Sequence, residues 1–173
     1  EPGCEMRHFA REIMELFTLG VGNYSEKDVQ EVARAFTGWT IGRRGRPIQE
    51  PKGKLPANVR FAFLPNQHDD GIKQILGNKG AFNGDDVIGI LCGNARTALY
   101  ITEKIWNWFV YPDPDSKVIE KHATAFRNAG LDIKALLRSI MLDPEFVSDT
   151  AERAIYKNPV DFCLSTIRQL GLG

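Results

Sequence analysis

Between residues 5 and 19, apolar side chains recur at Met6, Phe9, Ala10, Ile13, Met14, Leu16 and Phe17. At about 100° per residue they fill one arc of roughly 160°, the pattern of an amphipathic helix. The opposite arc holds Glu5, Arg7, His8, Arg11, Glu12, Glu15 and Thr18, with His8, Glu12 and Glu15 within about 60° of one another. Gly20 is expected to stop this helix, because glycine takes the left-handed conformation at low steric cost. Ser25 is placed to cap a second helix, with Asp28 completing a box-like start. In that helix Val29, Val32, Ala33 and Phe36 form one stripe, and Glu26, Lys27, Gln30, Glu31 and Arg34 are expected to face away. Two such helices joined by a short glycine turn predict an antiparallel helical hairpin.

The helical pattern then stops over 40–84, where glycine, proline and basic residues dominate. Arg60-Phe61-Ala62-Phe63-Leu64 is short and apolar, and pairing it with Trp39-Thr40-Ile41 would give a small antiparallel ribbon that has to lie on the helices to be stable. A loop region of this length inside a compact domain often carries function. Helical periodicity resumes after Asn83-Gly84, with Asp85 as the expected cap. From residue 97 to 110, apolar side chains including Trp106, Trp108 and Phe109 cover about 200°, as expected of a central helix touched on more than one side. Ser116 and Asp132 are expected to cap two more helices, with Val118, Ile119, Ala125 and Phe126, then Ile133, Leu136, Leu137 and Ile140, facing inward. Asp143-Pro144 opens a short turn. Asn158-Pro159 opens a last helix through Val160, Phe162, Leu164, Ile167 and Leu170. The fold class read from this is mainly α, with about seven short amphipathic helices in an irregular bundle and one long loop region, 40–84, with room for a small β-ribbon. At 173 residues the chain is read as a single helical domain, 1–173.

Charge changes little in this picture. Lysine plus arginine and aspartate plus glutamate number 22 each, so there is no overall bias towards nucleic acid, and the Arg43-Arg44-x-Arg46 cluster reads as a solvated loop. No run reaches the length of a membrane span. Three widely spaced cysteines, Cys4, Cys92 and Cys163, exclude a disulfide framework and leave open whether two of them form one bridge.

Several ordered motifs carry a family resemblance. They are Ala10-Arg11-Glu12, residues 15–22 and 24–39, His68-Asp69 with Gly71 and Lys73, Leu76-Gly77, Trp106 with Phe109-Val110, and Lys157 with Pro159. With these the chain resembles the bacterial family known as domain of unknown function eighteen-hundred over nearly its whole length. The resemblance implies a mostly helical protein, the C-terminal part of a longer and often exported one, with no established activity. The chain departs from the family pattern at Met6, Arg7 and His8, where an Asn-Glu-Asn triplet is common.

Two chemistries can be written on these residues. In the first, Glu12 and Glu15 on the polar face of the opening helix meet His68, Asp69 and Lys73 of the loop as the catalytic set of a hydrolase. A divalent metal such as zinc or manganese would then sit on His8, Glu12, His68 and Asp69 and activate a water. The plainer reading, which is favoured, makes the helix face solvated and lets Asp69 or Asp70 accept backbone N–H groups in a turn ending at Gly71, with Lys73 or Arg11 as charge partner. Arg11 and Trp39 are the candidate binding residues. His122, on an apolar helix face, reads as a core histidine. Trp39, Trp106 and Trp108 could form an aromatic platform for a sugar or a base, but their helical spacing favours core packing. The leading functional reading is a binding module for another protein, a cell-surface component or an N-terminal part of the same chain, with the hydrolase as alternative.

Overall fold

A computed structural model describes the backbone of residues 2–43, 46–47 and 60–171 and the side chains of residues 6–42 and 60–171. Among them are seven α-helices and two small antiparallel sheets, so the chain is mainly α with β-ribbons in its loop region. The side chains of Cys4 and of Arg43-Arg44-x-Arg46 lie outside those described, while Cys92 and Cys163 are free, exposed thiols. No described helix is long and apolar enough to cross a membrane. The contacts divide the chain into two compact units, Glu1–Thr97 and Ala98–Gly173.

In the first unit, α1 (Pro2–Glu15) packs on α2 (Glu26–Ala35) as the helical hairpin expected from their apolar stripes. α1 ends four residues earlier than its periodicity suggests. The Thr18 hydroxyl donates to Ile13 O at 2.7 Å, and the Leu19 and Gly20 amides both donate to Met14 O. Those bonds satisfy the last carbonyls and curl the chain into a turn, which leaves Leu16 and Phe17 exposed. α2 begins as its sequence predicts, with Ser25 and Asp28 forming a reciprocal capping box. The core beneath the hairpin contains Ala10, Met14, Val29, Val32 and Phe36 together with Ile75, Val87 and Leu91.

The expected ribbon forms. β1 (Trp39–Arg43) pairs antiparallel with β3 (Arg60–Phe63) in the register Trp39↔Phe63 and Ile41↔Phe61, and β2 (Arg46–Pro47) pairs on the other side of β1. A second hairpin, β4 (Lys73–Ile75) with β5 (Asn78–Gly80), has no counterpart in the sequence reading. Its two-residue turn is Leu76-Gly77, both at positive φ, a conformation usually marked by asparagine or aspartate rather than leucine at the first position. α3 (Gly84–Gly93) is capped by Asn83 rather than Asp85. The Asn83 side chain accepts from the amides of Asp85 and Asp86, and Asp86 returns the bond.

In the second unit, α4 (Ala95–Phe109), which begins in the first, α5 (Ser116–Asn128) and α6 (Ile133–Met141) supply the side chains of one core: Ala98, Trp106, Val110, Ile119, Ala123, Phe126, Leu136 and Ile140. Asp115, one residue before Ser116, caps α5, because its carboxylate reaches the Lys117 amide at 2.8 Å. Ala125 and Ile133, expected inward, are exposed. α7 (Pro159–Gln169) is capped by Asn158 as predicted, yet its apolar residues are exposed throughout.

His122 is the core histidine its position predicts, at 1% exposure. One ring nitrogen, Nδ1, lies 2.7 Å from Ser139 Oγ, and Nε2 lies 3.1 Å from Asp143 Oδ2 but off the hydrogen-bonding direction. Burial pushes the imidazole pKa down, against the neighbouring Asp143 carboxylate, which works to raise it. Burial also works against the Asp143 charge, but the bonds from Lys121 and the Glu145 amide hold that carboxyl below its usual range.

Candidate functional site

The loop over 68–76 is fixed to α2 by side chains three residues apart along one edge of the helix and its C-terminal end. Asp28 accepts from the Leu76 amide at 2.8 Å, Glu31 from the Gln74 amide at 3.1 Å, and Arg34 donates to Ile72 O at 3.4 Å. Thr37 completes the row, its hydroxyl accepting from the Asp69 amide at 2.8 Å while donating to Arg34 O. Residues 28, 31, 34 and 37 share a helical edge because successive positions differ by about 300°. They run antiparallel to the strand they hold. Glu31 and Arg34 are therefore working members of this ladder, where the wheel alone placed them in solvent; the signal in the sequence was the unbroken Asp-x-x-Glu-x-x-Arg-x-x-Thr spacing.

Arg34 and Asp69 close the end of the ladder with two bonds, Nε to Oδ2 at 2.7 Å and Nη2 to Oδ1 at 3.1 Å. The Arg34 hydrogen bonds and the Gly71 amide pull the Asp69 carboxyl down to about 2. Lys73, 1% exposed, donates to the carbonyls of Asp69 and Gly71, and burial lowers its ammonium pKa. His68 Nδ1 sits 2.9 Å from Thr37 O, and its Nε2 is 4.0 Å from Asp70. The His68-Asp69-x-Gly71-x-Lys73 motif thus directs its polar groups into the loop itself and into α2.

Of the residues singled out for catalysis, the fold gathers His68, Asp69 and Lys73 in this loop. Glu15 goes elsewhere and accepts from the Tyr24 hydroxyl at 2.6 Å. Arg11 pairs with Glu26 at 2.7 Å, and His8 and Glu12 are exposed on α1. No described bond or ion pair joins the α1 group to the loop. Among the described residues no three His, Cys, Asp or Glu side chains are grouped to hold a metal ion.

Acid tests the Arg34–Asp69 closure. Because the folded carboxyl titrates at about 2, below its ordinary 3.8, its contribution is present above the ordinary value and is lost as pH falls through the folded one. Urea midpoints of the natural chain and of Asp69→Asn are expected to differ at neutral pH and to converge between about pH 4 and pH 2. A gap that stays constant over that range would contradict the pairing.

The ladder also positions a groove. Gly38 turns the chain from α2 into β1 at φ +83, and a β-carbon there would lie 2.7 Å from Leu64 O. Trp39 follows it, with Phe36 edge-on at 4.9 Å and Phe61 at 4.8 Å, and Phe9 meets Phe36 at 4.9 Å. The underside of the Trp39 indole rests on Gly84, where a β-carbon would fall inside the ring's van der Waals envelope. Met6, Phe9, Phe36, Trp39, Ile41 and Phe61 line most of a cavity of about 350 Å³ that is almost wholly apolar. Trp39, named from sequence as a binding residue, lines it; Arg11 does not.

The strand beside the groove has an open edge. The Leu64 amide bonds Gly38 O at 2.8 Å, so by antiparallel alternation Ala62 and Arg60 exchange bonds with β1, and the backbone groups of Phe61 and Phe63 point away from it. No described strand pairs with that outer edge.

Comparison with known proteins shows a family match. The family described as "Protein of unknown function (DUF1800)" covers residues 8–172. No curated protein and no solved structure matches.

Proposed function

On the premise that the chain belongs to the DUF1800 family of proteins of unknown function, we propose that it is a protein-binding module that adds an extended peptide to the outer edge of β3. The peptide seats an apolar side chain in the groove at Trp39. The observation that carries this reading is the juxtaposition of an aromatic-lined apolar groove with backbone at Phe61 and Phe63 that pairs with no strand among the described residues. In strand addition, main-chain bonds supply affinity and a pocket for alternate side chains supplies selection. An exposed strand edge carrying Phe61, 62% exposed, and Phe63, 41% exposed, is the kind of edge that recruits another strand. The ladder on α2 has a supporting role, holding the loop that follows β3 against the helix. His68 Nδ1, the Asp69 carboxylate and the Lys73 ammonium, which a hydrolase of this set would use, are engaged with Thr37, with Arg34 and within the loop.

Random peptides displayed on phage and selected against the chain test this. The expected selection is enriched in sequences with apolar residues at alternate positions and free of proline at their centre, and Phe61→Glu weakens the selected peptides by about tenfold or more. Peptides without that pattern, or peptides that bind Phe61→Glu equally well, would overturn it.

A further inference from the structure

Within the second unit, Trp108 departs from the rest of α4. Its neighbour two residues back, Trp106, is fully buried against Tyr111 and His122. Trp108 itself is 70% exposed. Tyr156, in the segment just before α7, is 95% exposed. These two rings border one cavity of about 290 Å³, whose polar lining is Asn107, Lys157, Asn158 and Asp161.

We infer that this cavity is a binding site for a neutral saccharide, one ring of a longer glycan, held between the faces of Trp108 and Tyr156. The combination of groups selects this ligand class. Exposed indole and phenol faces lose water readily and offer flat apolar surface to the C–H face of a sugar ring, while their polar tips stay wet. Two side-chain amides, an ammonium and a carboxylate supply both donors and acceptors, the mixture that hydroxyl groups require. The site has little preference for an anion, because Asp161 stands in the same lining as the single cation, Lys157, which already donates to Ser165 Oγ at 3.0 Å. Asn158 and Asp161 are held in place by their mutual bonds, Nδ2 to Oδ2 at 2.5 Å and the Asp161 amide to Oδ1 at 2.9 Å. The volume is at the lower end of ligand pockets, which suits one ring better than a nucleotide. This site is independent of the groove at Trp39, and neither inference needs the other.

The test is a titration of the whole chain with neutral trisaccharides of glucose, of N-acetylglucosamine and of mannose, followed by tryptophan emission and by calorimetry. At least one is expected to bind and shift the emission to shorter wavelength. Trp108→Ala and Tyr156→Ala, both at exposed positions and checked for fold by circular dichroism, should each weaken binding by about tenfold or more, in line with the worth of a lost stacking face. Trp108→Phe should retain most of it. The inference is overturned if none of the three binds at millimolar concentration, if binding survives Trp108→Ala, or if a peptide or inorganic phosphate occupies the cavity in preference to every sugar.

Discussion

Phe36→Ala is expected to cost about 3–5 kcal/mol of stability, the largest loss anticipated from any single substitution in the groove. Phe36 is 0% exposed and stands at the junction of α2, α1 and the ribbon, with edge-on contacts to Phe9 and Trp39. Removing the ring takes away its burial and both aromatic pairs, and a close-packed core relaxes only partly into the space left behind. Urea unfolding followed by circular dichroism measures the cost. The same variant should lose peptide binding, since the groove floor is gone. A loss below about 1 kcal/mol would mean that the hairpin and ribbon pack more loosely than the edge-on contacts of Phe36 imply.

Gly84→Ala is the second, and it acts by overfilling. A single added methyl would meet the Trp39 indole at Cε2 and Cζ2 and come within 2.7 Å of Nε1. The obstructing group is the body of a rigid bicyclic ring, wedged between Phe36 and Phe61, so it cannot swing aside as a flexible tip would. Either the indole or the start of α3 must shift, and overpacking of this kind costs about 1–3 kcal/mol. Gly84 is the first residue of α3, where the preference of about 1 kcal/mol for alanine over glycine seen inside helices is smaller but not reversed, so a net loss here would be a sign of the close approach. Trp39 emission should change in the folded variant, because the ring is displaced. A variant at least as stable as the natural chain, with unchanged emission, would contradict the contact.

How much of this was legible in the sequence depends on where each residue's partner lies. The α1–α2 hairpin could be read because apolar stripes and a capping box are local signals, and Ser25 with Asp28 forms the box. The β1–β3 ribbon could be read because Phe61 and Phe63 alternate with Arg60 and Ala62, and the observed register pairs Trp39 with Phe63. The β4–β5 hairpin could not, since Leu76 at positive φ carries none of the usual turn chemistry. The Leu76 side chain packs on the core beneath α2, a contact that asparagine would not supply. The ladder was invisible to the helical wheel for another reason. A wheel scores Glu31 and Arg34 as polar and assigns them to water, but their water is replaced by the backbone of a segment some forty residues away. The same limit applies to Trp108 in the opposite sense, where an apolar residue in a wide arc is taken for core and is instead exposed. In the candidate site, His68, Asp69 and Lys73 lie in one loop because they are close in sequence, whereas the bonds that tie this loop to Arg34 and Thr37 span more than thirty residues and left no local signal in the loop.

The central claim, that the edge of β3 is where a partner's strand is added, is tested most directly by amide hydrogen exchange of Phe61, Ala62 and Phe63 with and without a selected peptide. Ala62 bonds inward to β1 and is expected to be slow in both states, whereas Phe61 and Phe63 point outward and should slow by about tenfold or more only when the peptide is bound. If the peptide binds while the exchange of Phe61 and Phe63 is unchanged, strand addition at this edge is contradicted.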